Sequence, residues 1–262
     1  MTTLQYFRLC WVSYYSIVRK EVVRNLRVWQ QNLLPPVITQ SLYFVVFGSF
    51  VGSRINGTFD GLTYMQFLVP GLVMMAVILN SFQNVVFALF GAKFQRHIEE
   101  ILVSPTPNWI ILLGFVSTGV LRGLVIGAII ILISLFFVPL QIFSLGYVVL
   151  FSILTATTFA LAGFLNGLFA KTFDDVSIIP TFVLTPLTYL GGVFYSINQL
   201  PPIWQTISRF NPIVYMIDGF RYGFYGVSQT PLAVSISVLV LLNAGFGLAS
   251  WYFLNKGYGL RA

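Results

Sequence analysis

Residues 123–170 read GLVIGAIIILISLFFVPLQIFSLGYVVLFSILTATTFALAGFLNGLFA, 48 consecutive positions without Asp, Glu, Lys or Arg. One helix of that length would be about 72 Å long at 1.5 Å per residue, more than twice the ~30 Å hydrocarbon core of a bilayer. The stretch must therefore hold two crossings. Pro139 is the natural turn between them, because proline lacks the N–H a continuing helix needs.

Working outward, four more uncharged gaps appear. They run 26 residues from Arg27 to Arg54, 32 from Asp60 to Lys93, 33 from Asp175 to Arg209 and 34 from Arg221 to Lys256. Each exceeds the ~20 apolar residues a crossing helix needs. Only 8% of the 262 residues are charged, against about 25% in a soluble domain, so no water-facing surface can be built from them. The composition predicts an all-α integral membrane protein and excludes a soluble enzyme, a nucleic-acid binder and a disordered scaffold. Six transmembrane helices are predicted, near 33–52, 64–92, 109–138, 144–170, 177–195 and 232–254, together a transmembrane domain over 33–262.

Lys and Arg placement sets the orientation. A cytoplasmic N-terminus puts Arg8, Arg19, Lys20, Arg24, Arg27, Lys93, Arg96, Lys171, Lys256 and Arg261 inside, and leaves Arg54, Arg209 and Arg221 outside. Both termini are predicted to be cytoplasmic. The N-terminal segment does not read as a cleavable signal peptide, because Arg8, Arg19, Lys20, Glu21, Arg24 and Arg27 interrupt any apolar run.

Residues 1–32 form a separate element. Leu4, Phe7, Trp11, Tyr14, Val18, Val22, Leu26 and Trp29 recur at three- and four-residue steps, one face of a helix. A basic amphipathic helix with aromatics lies in the membrane interface, drawn by anionic lipid, or docks a cytoplasmic partner. Residues 196–231 are apolar, yet Pro201, Pro202, Pro212 and Pro231 cut them into pieces too short to span. Irregular backbone at membrane depth survives only when buried in protein or lining a wet cavity. Two re-entrant helices dipping from the outer face are expected, with a loop lying flat as the alternative.

No catalytic constellation emerges, and the chain is not expected to be an enzyme. His97 is the one histidine and Cys10 the one cysteine. Glu99 and Glu100 point about 100° apart on a helix, so they cannot share a substrate. Asp174 and Asp175 suit a solvated or capping role. No metal framework is present, no cofactor is expected in this chain, and no Gly-x-x-x-x-Gly-Lys-Ser/Thr loop occurs. If ATP drives the protein, another chain binds it.

Residues 93–107, KFQRHIEEILVSPTP, carry more. Phe94, Ile98 and Leu102 fall at i, i+4 and i+8, and Arg96 is within helical reach of Glu99 and Glu100. Pro105 and Pro107 stop the helix before the next span. The spacing predicts a short amphipathic cytoplasmic helix gripped between two spans, against the alternative of a plain loop.

Inside the spans, Gly119, Gly123 and Gly127 repeat every four residues, as do Gly163 and Gly167, a close-packing pattern. Arg122 stands beside the first stripe. It is read as a functional charge, or as one that snorkels outward or binds carbonyls of the re-entrant region. Gln40 and Tyr43, then Asn80, Gln83 and Asn84, then Thr181, Thr185 and Thr188 form polar stripes. These serve interhelical hydrogen bonding or line a translocation surface suited to an amphipathic or bulky solute.

These residues resemble the permease subunits of type-2 ATP-binding-cassette exporters, the ABC-2 family, over essentially the whole chain. The family signature is matched from Leu184 through Leu187, Leu190 and Gly191 to Pro212, Ile213, Tyr215 and Arg221. Residues 99–105, EEILVSP, resemble the family's cytoplasmic coupling segment, so Phe94, Arg96, Ile98, Glu99, Glu100 and Leu102 are the expected ATPase-coupling residues. The resemblance implies a homodimer in a bacterial inner membrane, two cytoplasmic ATPase subunits, contact with lipid but not nucleic acid, and export driven by hydrolysis in the partner. A secondary transporter or channel not coupled to ATP is the alternative. It would place charges within spans or show an inverted repeat.

Overall fold

The computed structural model describes residues 3–51 and 61–259. Gly52, the expected end of the first span, and Arg54 and Arg261, two cations used for orientation, lie outside the described residues. Every element among the described residues is helical. In chain order they are α1 (Thr3–Arg27), α2 (Trp29–Tyr43) continuing through a π-helical segment (Phe44–Val51), α3 (Tyr64–Phe94), α4 (His97–Val103), α5 (Asn108–Ser134) and α6 (Leu145–Phe169). Then come α7 (Phe173–Ile178), a π-helical segment (Ile179–Leu184), α8 (Thr185–Tyr189), a 3-10 turn (Ile197–Gln199), α9 (Pro202–Arg209), α10 (Pro212–Tyr225) and α11 (Leu232–Asn255).

Among the described residues four helices, α3, α5, α6 and α11, are long and apolar enough to cross a membrane. The other two expected spans are helical paths with a wider turn inside them. In the second path Pro180 and Pro186 remove backbone donors. The register shifts there: the Thr185 N–H reaches the Pro180 carbonyl, five residues back, and its hydroxyl donates to the same oxygen at 2.8 Å.

α3 is the centre of the bundle, with Phe67, Leu68, Leu72, Met74 and Ile78 fully buried. The two glycine stripes grip it from either side. A Cβ on Gly123 would collide with Ser81, and one on Gly127 would sit 2.7 Å from Val77. A Cβ on Gly163 would sit 2.5 Å from the Phe82 carbonyl oxygen. Bilayer tails give helices no hydrophobic reason to associate, so close backbone approach supplies the dispersion contact.

The turn predicted at Pro139 is a longer link. α5 ends at Ser134, and the Phe143 and Ser144 N–H groups donate at 3.0 and 2.8 Å to Phe224 and Gly223 at the end of α10. α10 is buried, with Ile213, Met216, Phe220 and Phe224 inside, Gly219 against Phe151 and Gly223 against Val148. α9 is short and leaves Ile203, Trp204 and Ile207 exposed.

The N-terminal helix differs from its expected form in two ways. It breaks at Val28, so the first span starts at Trp29 rather than near residue 33. The face it buries carries Cys10, Ile17 and Glu21, with Ile17 against Gly114 of α5. Leu4, Phe7, Trp11 and Leu26, read as the apolar face, point away from the protein. A helix in an interface has two apolar neighbours, protein and lipid, and periodicity alone does not separate them.

Candidate functional site: the α4 turn, the polar stripes and the α9–α10 hairpin

The predicted helix over 93–107 is two helices with a break. α3 runs on to Phe94, and Arg96 adopts φ 60°, the one non-glycine residue with positive φ among those described. That left-handed residue turns the chain sharply into α4. The break takes Phe94, Ile98 and Leu102 off one common face. Ile98 is buried, whereas Phe94 and Leu102 are exposed, and Phe94 packs edge-on against Phe173 at 5.0 Å between centroids. Arg96, Glu99 and Glu100 are solvent-exposed and do not pair; the ion pair found among the described residues joins Arg24 to Glu21.

What holds this turn is a residue the sequence reading counted only as a charge. Lys93 Nζ donates to the carbonyls of Gly167, Leu168 and Ala170 at 3.0, 2.7 and 3.0 Å. An ammonium on the last carbonyls of α6 satisfies orphan acceptors and meets the negative end of the helix dipole. The adjoining chain is fixed by a capping box, in which Thr172 accepts from the Asp175 N–H and Asp175 accepts from the Lys171 and Thr172 N–H groups at 2.9 Å. Those two backbone donors hold the Asp175 carboxyl below the usual carboxylate range. Between α4, the end of α6 and residues 258–259 lies an open cleft of about 660 Å³ bordered by Lys93, Phe94, Arg96, Glu99 and Lys171.

The same end of the bundle gathers other elements. Thr106 donates to Ser13 of α1 at 3.0 Å, and Asn108 of α5 donates to Asn255 of α11 at 2.8 Å. The middle of α1, the start of α5 and the end of α11 therefore lie at the α4 end of the bundle.

The expected polar stripes do not form continuous surfaces. Asn84 is fully buried, accepting from Asn25 at 2.9 Å and donating to Thr118 at 3.4 Å, so it ties α3 to α1 and α5. Asn80 donates to Ala76 of its own helix, and Gln83 is half-buried. Gln40 is buried, while Tyr43 shares a hydroxyl contact with Tyr189 at 2.8 Å. Thr185 and Thr188 donate back to carbonyls of their own segment and only Thr181 is exposed. Hydroxyls three and five residues from a carbonyl satisfy themselves locally, which breaks the stripe.

Arg122 does not reach residues 196–231 at the opposite end of the bundle. Its Nη2 donates to the Asn32 carbonyl at 3.3 Å, near the α1–α2 break. Helical side chains lean toward their own N-terminus, which on α5 is the α4 end of the bundle. Glu21 is buried nearby in α1, 2.7 Å from Arg24 in a contact lacking hydrogen-bond alignment, and burial pushes its carboxyl pKa up against the pull of Arg24 and Lys20.

At the opposite end, the Tyr64 hydroxyl at the start of α3 donates to Phe194 O at 3.3 Å and Gln229 donates to Ser196 at 2.6 Å. From there the chain runs through α9 to Asn211, whose Nδ2 donates to Leu187 O at 2.7 Å, and returns along α10. Pro212 occupies the first turn of α10, where its missing N–H has no cost, and Tyr215 donates to Arg209 O at 2.8 Å. Arg221 lies buried with its guanidinium carbon 3.7 Å from the Phe67 ring centroid and Nη2 on Gly192 O at 3.1 Å. Asp218, one turn earlier, was missed in the sequence reading. It accepts from the Gln229 and Thr230 N–H groups at 2.9 and 2.8 Å, fastening the return loop before α11. Its three-residue spacing from Arg221 was the available signal.

Known proteins align with this arrangement over most of its length. The inner membrane transport permease YadH of Escherichia coli strain K12 is 57% identical over 254 residues, covering 97% of this chain and 99% of that protein. Nodulation protein J of Rhizobium leguminosarum bv. trifolii is 28% identical over 203 residues, covering 76% of this chain and 77% of its own. Nodulation protein J of Rhizobium meliloti strain 1021 is 27% identical over 225 residues, with 82% and 84% covered. The family described as ABC-2 type transporter matches residues 12–225, which include the α4 turn and the Pro212–Arg221 signature, and this chain is a membrane transport permease of that family.

Proposed function

We propose that two copies of this chain form the solute pathway of an exporter in a bacterial inner membrane, moved by separate cytoplasmic ATPase subunits seated at the α4 turn. The observation that carries the reading is the construction of that turn. The left-handed Arg96, the Lys93 cap and the buried Ile98 fix α4 to α3 and α6, while Phe94, Glu99, Glu100 and Leu102 face solvent beside an open cleft. A peg fixed to two spans transmits a push from a partner into the bundle. The chain carries no nucleotide-binding loop, so hydrolysis belongs to the partner.

Six crossings go with this reading. Residues 173–194 accompany α3 end to end, from the Phe173–Phe90 ring contact at 4.9 Å to the Tyr64–Phe194 bond at 3.3 Å. Residues 29–51 run from Asn32 beside Arg122 to Phe44, stacked at 5.5 Å on Phe137. α9 and α10 then form the re-entrant hairpin of the outer face, and both termini are cytoplasmic. Gln40, Tyr43, Asn80, Gln83, Asn84, Thr181, Thr185 and Thr188 remain the proposed pathway positions. Of these, Tyr43 and Thr181 reach the surface where a second copy would face them.

The test is co-purification. Glu99→Ala with Glu100→Ala is expected to leave the permease inserted while weakening ATPase binding, since losing charge contacts at an interface typically costs about 2–5 kcal/mol. Asn198→Ala with Gln199→Ala at the opposite end is expected to change nothing. Equal ATPase recovery and equal stimulated hydrolysis for both variants would return the chain to the uncoupled-transporter class.

A further inference from the structure

The level of Arg122 follows from α3. Tyr64 and Asn84 are twenty residues apart, about 30 Å of helix, the thickness of the hydrocarbon core. With Tyr64 at one boundary of that core, Asn84, bonded to Thr118 one turn before Arg122, falls at the other, and the Arg122 side chain leans back toward it. Here the charge is poorly matched. Arg122 Nε is buried with no partner, and Nη2 has one bond, to Asn32 O at 3.3 Å. The neighbouring carboxylate, Glu21, is committed to Arg24 at 2.7 Å, and Arg24 lies close enough to Arg122 to repel it. Beside them opens a cleft of about 110 Å³ between the α1–α2 break and α5, bordered by Trp29, Leu33, Leu121, Arg122 and Val125.

We propose that this cleft seats an anionic phospholipid of the inner leaflet. Its phosphate oxygens accept from the Arg122 guanidinium where it borders the cleft, and an acyl chain lies along Leu33, Leu121 and Val125. A phosphate matches the flat guanidinium fork in two parallel bonds, and a net negative headgroup offsets the surplus cation. The apolar walls favour a lipid over a free phosphate ion. Arg19, Lys20 and Arg27 on the same helix raise the local concentration of anionic lipid. This site would lock the α1–α2 elbow against α5, and it does not depend on coupling to ATP.

The experiment is native mass spectrometry of the purified full chain equilibrated with equal amounts of phosphatidylglycerol and phosphatidylcholine. Wild type is expected to retain phosphatidylglycerol with about tenfold preference, a difference near 1.4 kcal/mol. Arg122→Gln is expected to lose the preference and Arg122→Lys to keep part of it, having charge without the fork. Val125→Trp, which fills the apolar wall and leaves Arg122 intact, is expected to lose retention too. Should Arg122→Gln fail to fold, the wild-type preference and Val125→Trp decide the matter. Equal retention of both lipids by wild type, unchanged preference in folded Arg122→Gln or in Val125→Trp, or displacement of the lipid by excess inorganic phosphate would each overturn the site.

Discussion

Replacing Gly163 with alanine tests the idea that close backbone approach around α3 holds this fold. A Cβ at that position would lie 2.5 Å from the Phe82 carbonyl oxygen and 3.2 Å from its Cα and carbonyl carbon. Those are backbone atoms in the middle of a buried helix, so no side-chain rotation relieves the contact. To reach an ordinary separation the oxygen distance must grow to about 3.4 Å, which parts α6 from α3 along their length. Overpacking of this kind costs about 1–3 kcal/mol, while the helix propensity of alanine returns about 1 kcal/mol. The net expectation is a loss of about 0–2 kcal/mol. Gly91→Ala is the control: it lies in the same central helix, and a Cβ there meets nothing within 4 Å. It should gain about 0.5–1 kcal/mol from reduced backbone freedom in the unfolded chain. At about 2–4 °C per kcal/mol for a chain of this size, thermal unfolding in detergent should place Gly163→Ala below Gly91→Ala by about 1–12 °C. If Gly163→Ala melts at or above Gly91→Ala, the close approach of α3 and α6 does not limit stability and the packing argument fails.

Other outcomes follow from single contacts. Lys93→Met should destabilise the chain by about 1–2 kcal/mol through three uncapped carbonyls, with Lys93→Arg recovering part of the loss in the same thermal assay. Arg96→Gly should raise stability by about 1 kcal/mol, because glycine carries no penalty at positive φ, whereas Arg96→Val should lower it by at least as much. Asp218→Ala should cost about 1.5–3 kcal/mol and expose residues 226–231 to externally added protease in right-side-out vesicles. The Asp175 carboxyl is depressed, so its contribution is present above its ordinary value of 3.8 and is lost as pH falls through the lower folded value. Amide exchange at Lys171 and Thr172 should accelerate in acid below that point, and Asp175→Asn should remove the dependence.

The sequence determined the class of the protein because crossing a bilayer is a one-dimensional requirement. Length, absence of charge and a proline between two long apolar runs settle it, and they located α3, α5, α6 and α11 to within a few residues. Glycine periodicity likewise showed that two helices would be approached closely, since a missing Cβ is visible in the chain itself. Which helix fills the gap was not visible, and only packing revealed that both stripes face α3. The same holds for charge. Sequence spacing offered Arg96 with Glu99 and Glu100, but one left-handed residue turned α4 away from that geometry. Lys93, counted only among the cytoplasmic cations, meets carbonyls 74 to 77 residues away. Asp218 and Arg221 share one helix turn, yet the first is fixed by a loop that follows it and the second by Gly192 and Phe67 from before it. Partners so distant along the chain are chosen by how helices cross, which no local pattern encodes.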